Sequence, residues 1–130
     1  MKKFSLLILS VLLLSCSSDE DVEPFKGTFS GYYSGDDTGT WEMDIIYENG
    51  EGSGTINGTF KSNNGGNKAF SASVSPSGRI VGSFVDENKS TIYDTNLSGE
   101  IDKSYKNAVS GTWYNNVNGV SNGKWIGERN

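Results

Sequence analysis

The chain has 130 residues, no histidine, one cysteine and 17 glycines, with 11 Lys and Arg against 16 Asp and Glu for a net charge of −5. Without histidine or a second thiol, histidine acid–base catalysis, an internal disulfide and the usual zinc or copper sites are out of reach. No segment concentrates Lys or Arg, which argues against nucleic acid as a partner and against electrostatic docking on anionic lipid.

Met1-Lys2-Lys3 is a short positive start, and Phe4 to Leu14 is an almost wholly apolar run, too short to cross a bilayer as a permanent helix. The run ends in Leu13-Leu14-Ser15-Cys16, which resembles the bacterial lipobox. By that resemblance residues 1–15 are a lipoprotein signal peptide, cleavage falls before Cys16, and the Cys16 sulfur is diacylated with its freed amine open to a third chain. At roughly 0.8 kcal/mol per buried methylene, two or three acyl chains hold a small domain on a membrane almost permanently. The same lipidation occupies a lone thiol that an oxidising compartment would otherwise attack. An ordinary signal peptide that happens to contain a cysteine is the alternative.

Residues 16–24 continue as Cys16 and the polar, acidic stretch Ser17-Ser18-Asp19-Glu20-Asp21-Val22-Glu23-Pro24. This composition cannot bury enough apolar surface to fold and predicts an extended tether. The acidic cluster after the cysteine is similar to the export signal of Bacteroidota-type lipoproteins, which implies an outer-membrane anchor displayed at the cell surface, with the periplasmic face as the alternative. The membrane partner enters only through the lipid on Cys16.

Residues 25–130 form a domain large enough for one core. All 17 glycines lie here, and a recurrent unit of Gly, one polar residue and then an aromatic or Ile recurs, as in Gly27-Thr28-Phe29, Gly39-Thr40-Trp41, Gly58-Thr59-Phe60, Gly111-Thr112-Trp113 and Gly123-Lys124-Trp125. Alternation within the units is that of half-buried strands: Trp41, Met43, Ile45 and Tyr47 share one face, with Glu42, Asp44 and Glu48 on the other. Turn residues separate the runs. Eight strands are predicted, over Phe25 to Ser34, Thr38 to Glu48, Gly52 to Lys61, Lys68 to Ser75, Arg79 to Asp86, Thr91 to Asp102, Tyr105 to Asn115 and Ser121 to Arg129.

Short connections imply an all-β, antiparallel up-and-down meander, and one-sided burial favours closing about eight strands into a small barrel; a two-sheet β-sandwich is the alternative. In each unit the glycine and its bulky partner lie on one face, so the glycine permits bending and leaves room for a neighbouring ring. The polar faces and scarcity of outward apolar residues favour an inside-apolar barrel over a membrane-spanning one.

Two local motifs resemble ligand-carrying barrels. Gly111-Thr112-Trp113-Tyr114-Asn115-Asn116 is similar to the first strand of avidin-type biotin binders, although it falls on the seventh run, and Gly39-Thr40-Trp41 resembles the entry signature of lipocalins, although it falls on the second. The architecture is similar to the calycin-like group of lipocalins, avidins and barrel-shaped protease inhibitors; that likeness carries no functional residue with it.

Carboxylates are the remaining catalytic chemistry, at Asp36-Asp37, Asp86-Glu87 and Glu42 with Asp44, but such residues in turns and on a wet strand face are expected to be solvated. Asp36, Asp37 and Thr38 supply hard oxygens without the ordered spacing of a calcium loop. The chain is therefore expected to be no enzyme, to have no catalytic residue and to hold neither cofactor nor metal. Two roles remain open. One is a protein-interaction or inhibitor-like module with a filled core, acting through loops and exposed rings such as Tyr32 and Tyr114. The other is lipocalin-like binding of a small apolar molecule or a sugar inside the barrel, against some of Trp41, Trp113, Trp125, Phe60 and Phe84. Interior volume separates the two.

Overall fold

A computed structural model describes residues 23–48, 52–85, 95–116 and 119–130. Eight strands follow in order: β1 (Gly27–Gly35), β2 (Gly39–Ile46), β3 (Gly54–Ser62), β4 (Asn67–Val74), β5 (Arg79–Phe84), β6 (Thr95–Asp102), β7 (Ala108–Asn115) and β8 (Ser121–Arg129). Each pairs antiparallel with the next, and β8 returns to pair with β1, so the meander closes into a barrel. Closure leaves no strand with an unpaired edge. The sandwich is thereby excluded.

The predicted alternation is realised most cleanly in β2, where Gly39, Trp41, Met43 and Ile45 are buried while Thr40, Glu42, Asp44 and Ile46 face outward. Among the described residues, seventeen buried apolar side chains drawn from all eight strands and the segment before β1 form one core. The outer wall carries polar rows instead, for example Thr59–Glu42–Ser30–Glu128 across β3, β2, β1 and β8. This is the reverse of a transmembrane barrel, whose apolar band faces out.

Glycines set the inside of the wall where the tryptophans lie. Gly31 on β1 pairs with Gly127 on β8, and the Trp41 ring lies across them, so that a Cβ on Gly127 would sit 2.4 Å from Trp41 Cζ2. Trp125 covers Gly111 in the same way, with a Cβ there only 2.4 Å from its Nε1. Thus the ring that fills each glycine's space comes from another strand. Each indole N–H then donates to a main-chain carbonyl: Trp41 to Tyr32 (3.1 Å) and Ile126 (3.0 Å), Trp113 to Ser34 (3.1 Å) and Trp125 to Ser98 (3.0 Å). The rings fill the interior without stranding a polar atom.

Two expected strand starts are corrected. Phe25 does not open β1: residues 23–25 form a turn in which the Lys26 N–H donates to the Glu23 carbonyl (3.3 Å), and the fully buried Phe25 ring enters the end of the barrel. Tyr105 does not open β7 either. Asp102 Oδ1 accepts from the Ser104 N–H (2.9 Å) and hydroxyl (2.6 Å), which starts a turn, and Lys106 and Asn107 take positive φ of 52° and 51° before β7 begins at Ala108. Asx-type bonding and left-handed residues hold this chain reversal and are invisible to hydrophobic period. The expected beginning of the sixth strand at Thr91, the pair Asp86-Glu87, Cys16 and the tether before Glu23 lie outside the described residues.

Candidate functional site

The strands run between two ends, called here the base (residues 23–26, the β4–β5 and β6–β7 turns, the C-terminus) and the top (the β1–β2 and β3–β4 turns). Phe25 plugs the base. Its ring lies near Gly78 in the β4–β5 turn, and the Lys103 ammonium sits 5.0 Å from its centroid. Arg129, at the end of β8, donates to the Pro24 carbonyl at 3.1 Å and to that of Lys26, and its guanidinium lies 4.8 Å from the Phe29 ring centre. The last two residues of the expected tether, Glu23 and Pro24, are therefore part of the barrel's base.

At the top, aromatic packing is capped by one carboxylate. Tyr33 stacks on Phe60 at 4.5 Å and meets Trp113 edge-on at 5.9 Å, while Phe60 meets Phe70 and Phe84 edge-on at 5.4 and 5.2 Å. The Tyr33 hydroxyl donates to Asp37 Oδ2 at 2.9 Å; Ser62 Oγ and Asn64 Nδ2 donate to Oδ1 at 3.0 and 3.3 Å. Burial, then the bond to the Asp37 carboxylate, pushes the Tyr33 phenol up to about 12. Burial alone would raise the Asp37 carboxyl, but the hydrogen bonds from Tyr33, Ser62, the Thr38 backbone and Asn64 outweigh it and hold the group below its ordinary value.

These contacts define what the candidate carboxylates do. Asp36 accepts the Asn122 N–H at 3.0 Å and Asp37 accepts three side-chain donors, so the adjacent pair joins the β1–β2 turn to β8 and to the β3–β4 turn. Glu42 and Asp44 lie on the outer face, where Glu42 pairs with Lys61 at 3.5 Å. Among the described residues no three Asp, Glu, His or Cys side chains converge as a metal site would require.

The structure separates the ring residues singled out in the sequence. Trp41, Trp113 and Trp125 are buried in the core, as are Phe60 and Phe84. Tyr114 is half-buried on the outside of β7, opposite Asn122 and Asn96. Asn115, the amide of the avidin-like motif, is buried beside it at the strand's end. Tyr32 points outward and is 68 % exposed, opposite Ile126, itself 59 % exposed. Trp41 and Trp125 meet edge-on inside the barrel at 5.0 Å. Tyr32 lines a groove of about 940 Å³ in the outer wall, beneath which Trp41 lies buried. Tyr105, in the β6–β7 turn and 66 % exposed, lines the same groove. Sequence reasoning missed Tyr105 because it was assigned to a strand, and it missed Ile126 because an outward Ile reads like any other strand residue.

Compared with protein-family models, with curated proteins and with solved structures, the chain gives no match.

Proposed function

We propose that the protein is a lipid-anchored, non-catalytic interaction module of the cell envelope that works through the outside of a filled barrel. The observation that carries this reading is the packing of Trp41, Trp113, Trp125, Tyr33, Phe60 and Phe70 across the barrel's interior, each tryptophan N–H already bonded to a main-chain carbonyl. A lipocalin-like cargo would need the space these rings hold, so the outer wall and the end turns are left to meet a partner.

Anchoring by Cys16 gives the module an orientation. The chain enters at the base, where Arg129 holds the Pro24 carbonyl. The eight residue-to-residue steps from Cys16 to Pro24 can span at most about 28 Å when extended. The base therefore stands close to the bilayer and the β1–β2 and β3–β4 turns point away from it. On this reading the acidic tether directs display at the outer membrane's outer face.

Replacing Cys16 with Ala is expected to move the protein from the membrane to the soluble fraction, and continued membrane retention would overturn the anchor. Native mass spectrometry of the purified chain tests the filled interior. A co-purifying mass of a few hundred daltons, released only on unfolding, would replace this reading with a cargo-carrying barrel.

A further inference from the structure

We propose that the groove across the outer wall of β7, β8, β1 and β2 is a saccharide site whose occupant is a neutral oligosaccharide stacked on Tyr32 and Tyr105. The proposal deepens the exterior reading above by naming the partner's chemical class. Register puts Thr40, Tyr32, Ile126 and Ser110 in one row across four strands, with Tyr105 at the base end of the same depression. Strand twist makes a barrel wall concave along its axis, so such a row lies in a saddle. At about 940 Å³ the depression is within the size range of small-molecule sites, roughly 300–1,000 Å³.

Three features select the occupant. Every strand of the wall is paired on both sides, so a peptide cannot add as a further strand and would have to bind through side chains alone. The groove's charges balance: Glu42 and Glu128 face Lys61 and Arg129, Glu42 is paired with Lys61, and the Arg129 guanidinium is committed to two main-chain carbonyls. An anionic ligand finds no uncommitted cation there, and a cation finds no cluster of carboxylates. Beside the groove, sharing Glu42 and Asn130 with it, lies a polar hollow of about 420 Å³ lined by Asp44, Asn57 and Thr59. A sugar chain uses both parts. The C–H face of one ring lies on an exposed tyrosine, whose own body is apolar and whose tip is polar, while hydroxyls of a neighbouring ring donate to carboxylates and exchange bonds with amides. A wholly apolar ligand would leave the polar hollow unused.

The floor reports on the site. Trp41 lies beneath Gly31 and Gly127, its N–H bonded to the carbonyls of Tyr32 and Ile126, two of the residues whose exposed side chains line the groove. Occupancy at Tyr32 therefore changes the surroundings of a buried indole.

The test uses the full chain in a zwitterionic detergent without a sugar headgroup, titrated calorimetrically with cellohexaose, maltohexaose, xylohexaose, mannohexaose and chitohexaose while tryptophan emission is followed. At least one of these is expected to bind and to shift the emission. Tyr32→Ala and Tyr105→Ala are each expected to weaken that binding about tenfold, the loss of one aromatic contact. Tyr32→Phe should keep it, and Val81→Ala, an exposed position on β5, should leave it unchanged. Failure of all five sugars to bind overturns the proposal, as does full affinity in both alanine variants with unaltered circular dichroism. A protein captured at Tyr32 in a chain that binds no sugar also overturns it. None of these results bears on the anchor, which the Cys16→Ala fractionation judges alone.

Discussion

The base and the top of this barrel are closed by different chemistry. At the base a single apolar ring, Phe25, is driven into the interior from outside the strands, and the surrounding groups, Lys103 over its face and Arg129 on the neighbouring carbonyls, hold it in place. At the top, Tyr33 and Phe60 close the interior from within the strands, and Asp37 gathers three donors from β1, the end of β3 and the β3–β4 turn above them. Hydrophobic burial is non-directional and indifferent to pH, so the base can be sealed by a residue of any strand register. A carboxylate with several donors is directional and depends on its charge, which makes the closure at the top sensitive to pH.

The largest expected effect is at the base. Phe25→Ala removes a fully buried ring and leaves a void, at a cost of about 3–5 kcal/mol, read as a lowered urea midpoint. An effect under about 1 kcal/mol would mean that the plug contributes little to closure. At the top, Asp37→Ala leaves the Tyr33 hydroxyl without its acceptor and is expected to cost about 1–3 kcal/mol. Urea melts of this variant and of Tyr33→Phe check the pair: loss in the second should be smaller, because no donor is stranded.

The pH profile sharpens the contrast. Asp37 has its carboxyl held below the ordinary 3.8, so the stability it contributes is complete above that value and is lost as pH falls through the lowered one. Tyr33 is raised from 10.0 to about 12, so its contribution is complete below 10 and disappears as pH rises between 10 and 12. Urea midpoints measured across pH should thus be flat in the middle with respect to these two groups and fall on both sides. Tyr33→Phe should remove the alkaline fall. Asp37→Asn should remove only part of the acid one, because Asp102 in the base turn is also held low, by the Ser104 hydroxyl and N–H. An acid limb unchanged in Asp37→Asn would show that the top does not sense protonation. The smallest effect is expected at Lys103→Ala, about 0.5–1 kcal/mol for an exposed cation on a ring, in the same urea assay.

Much of the barrel was legible because it is written in short-range pattern. Gly39 to Ile46 alternates buried and exposed without exception, and Arg79 and Ser121 begin strands at the expected residues. What local pattern carries poorly is a residue whose role comes from a partner far along the chain. Phe25 looks like the first inward residue of a strand, yet it becomes a plug because Arg129 holds the neighbouring Pro24 carbonyl and Lys103 lies over its ring, both from the far end of the chain. Asp37 looks like a solvated turn former, yet Ser62 and Asn64 reach it from the next turn at that end. For the candidate groove, Tyr32 was visible as an exposed ring, whereas its neighbours Tyr105 and Ile126 depend on a turn geometry and on a strand pairing that no window of the sequence contains.

By itself the sequence determined the class of the chain: an all-β meander of eight strands with glycines in step with aromatic residues, since period-two burial and turn chemistry act over a few residues. Tertiary structure alone decided that β8 meets β1, that each tryptophan fills the space above another strand's glycine, and that Tyr32 is left outside while Trp41 lies beneath it. Those outcomes follow from register around a closed wall, where the neighbour of a residue is set by every strand between them.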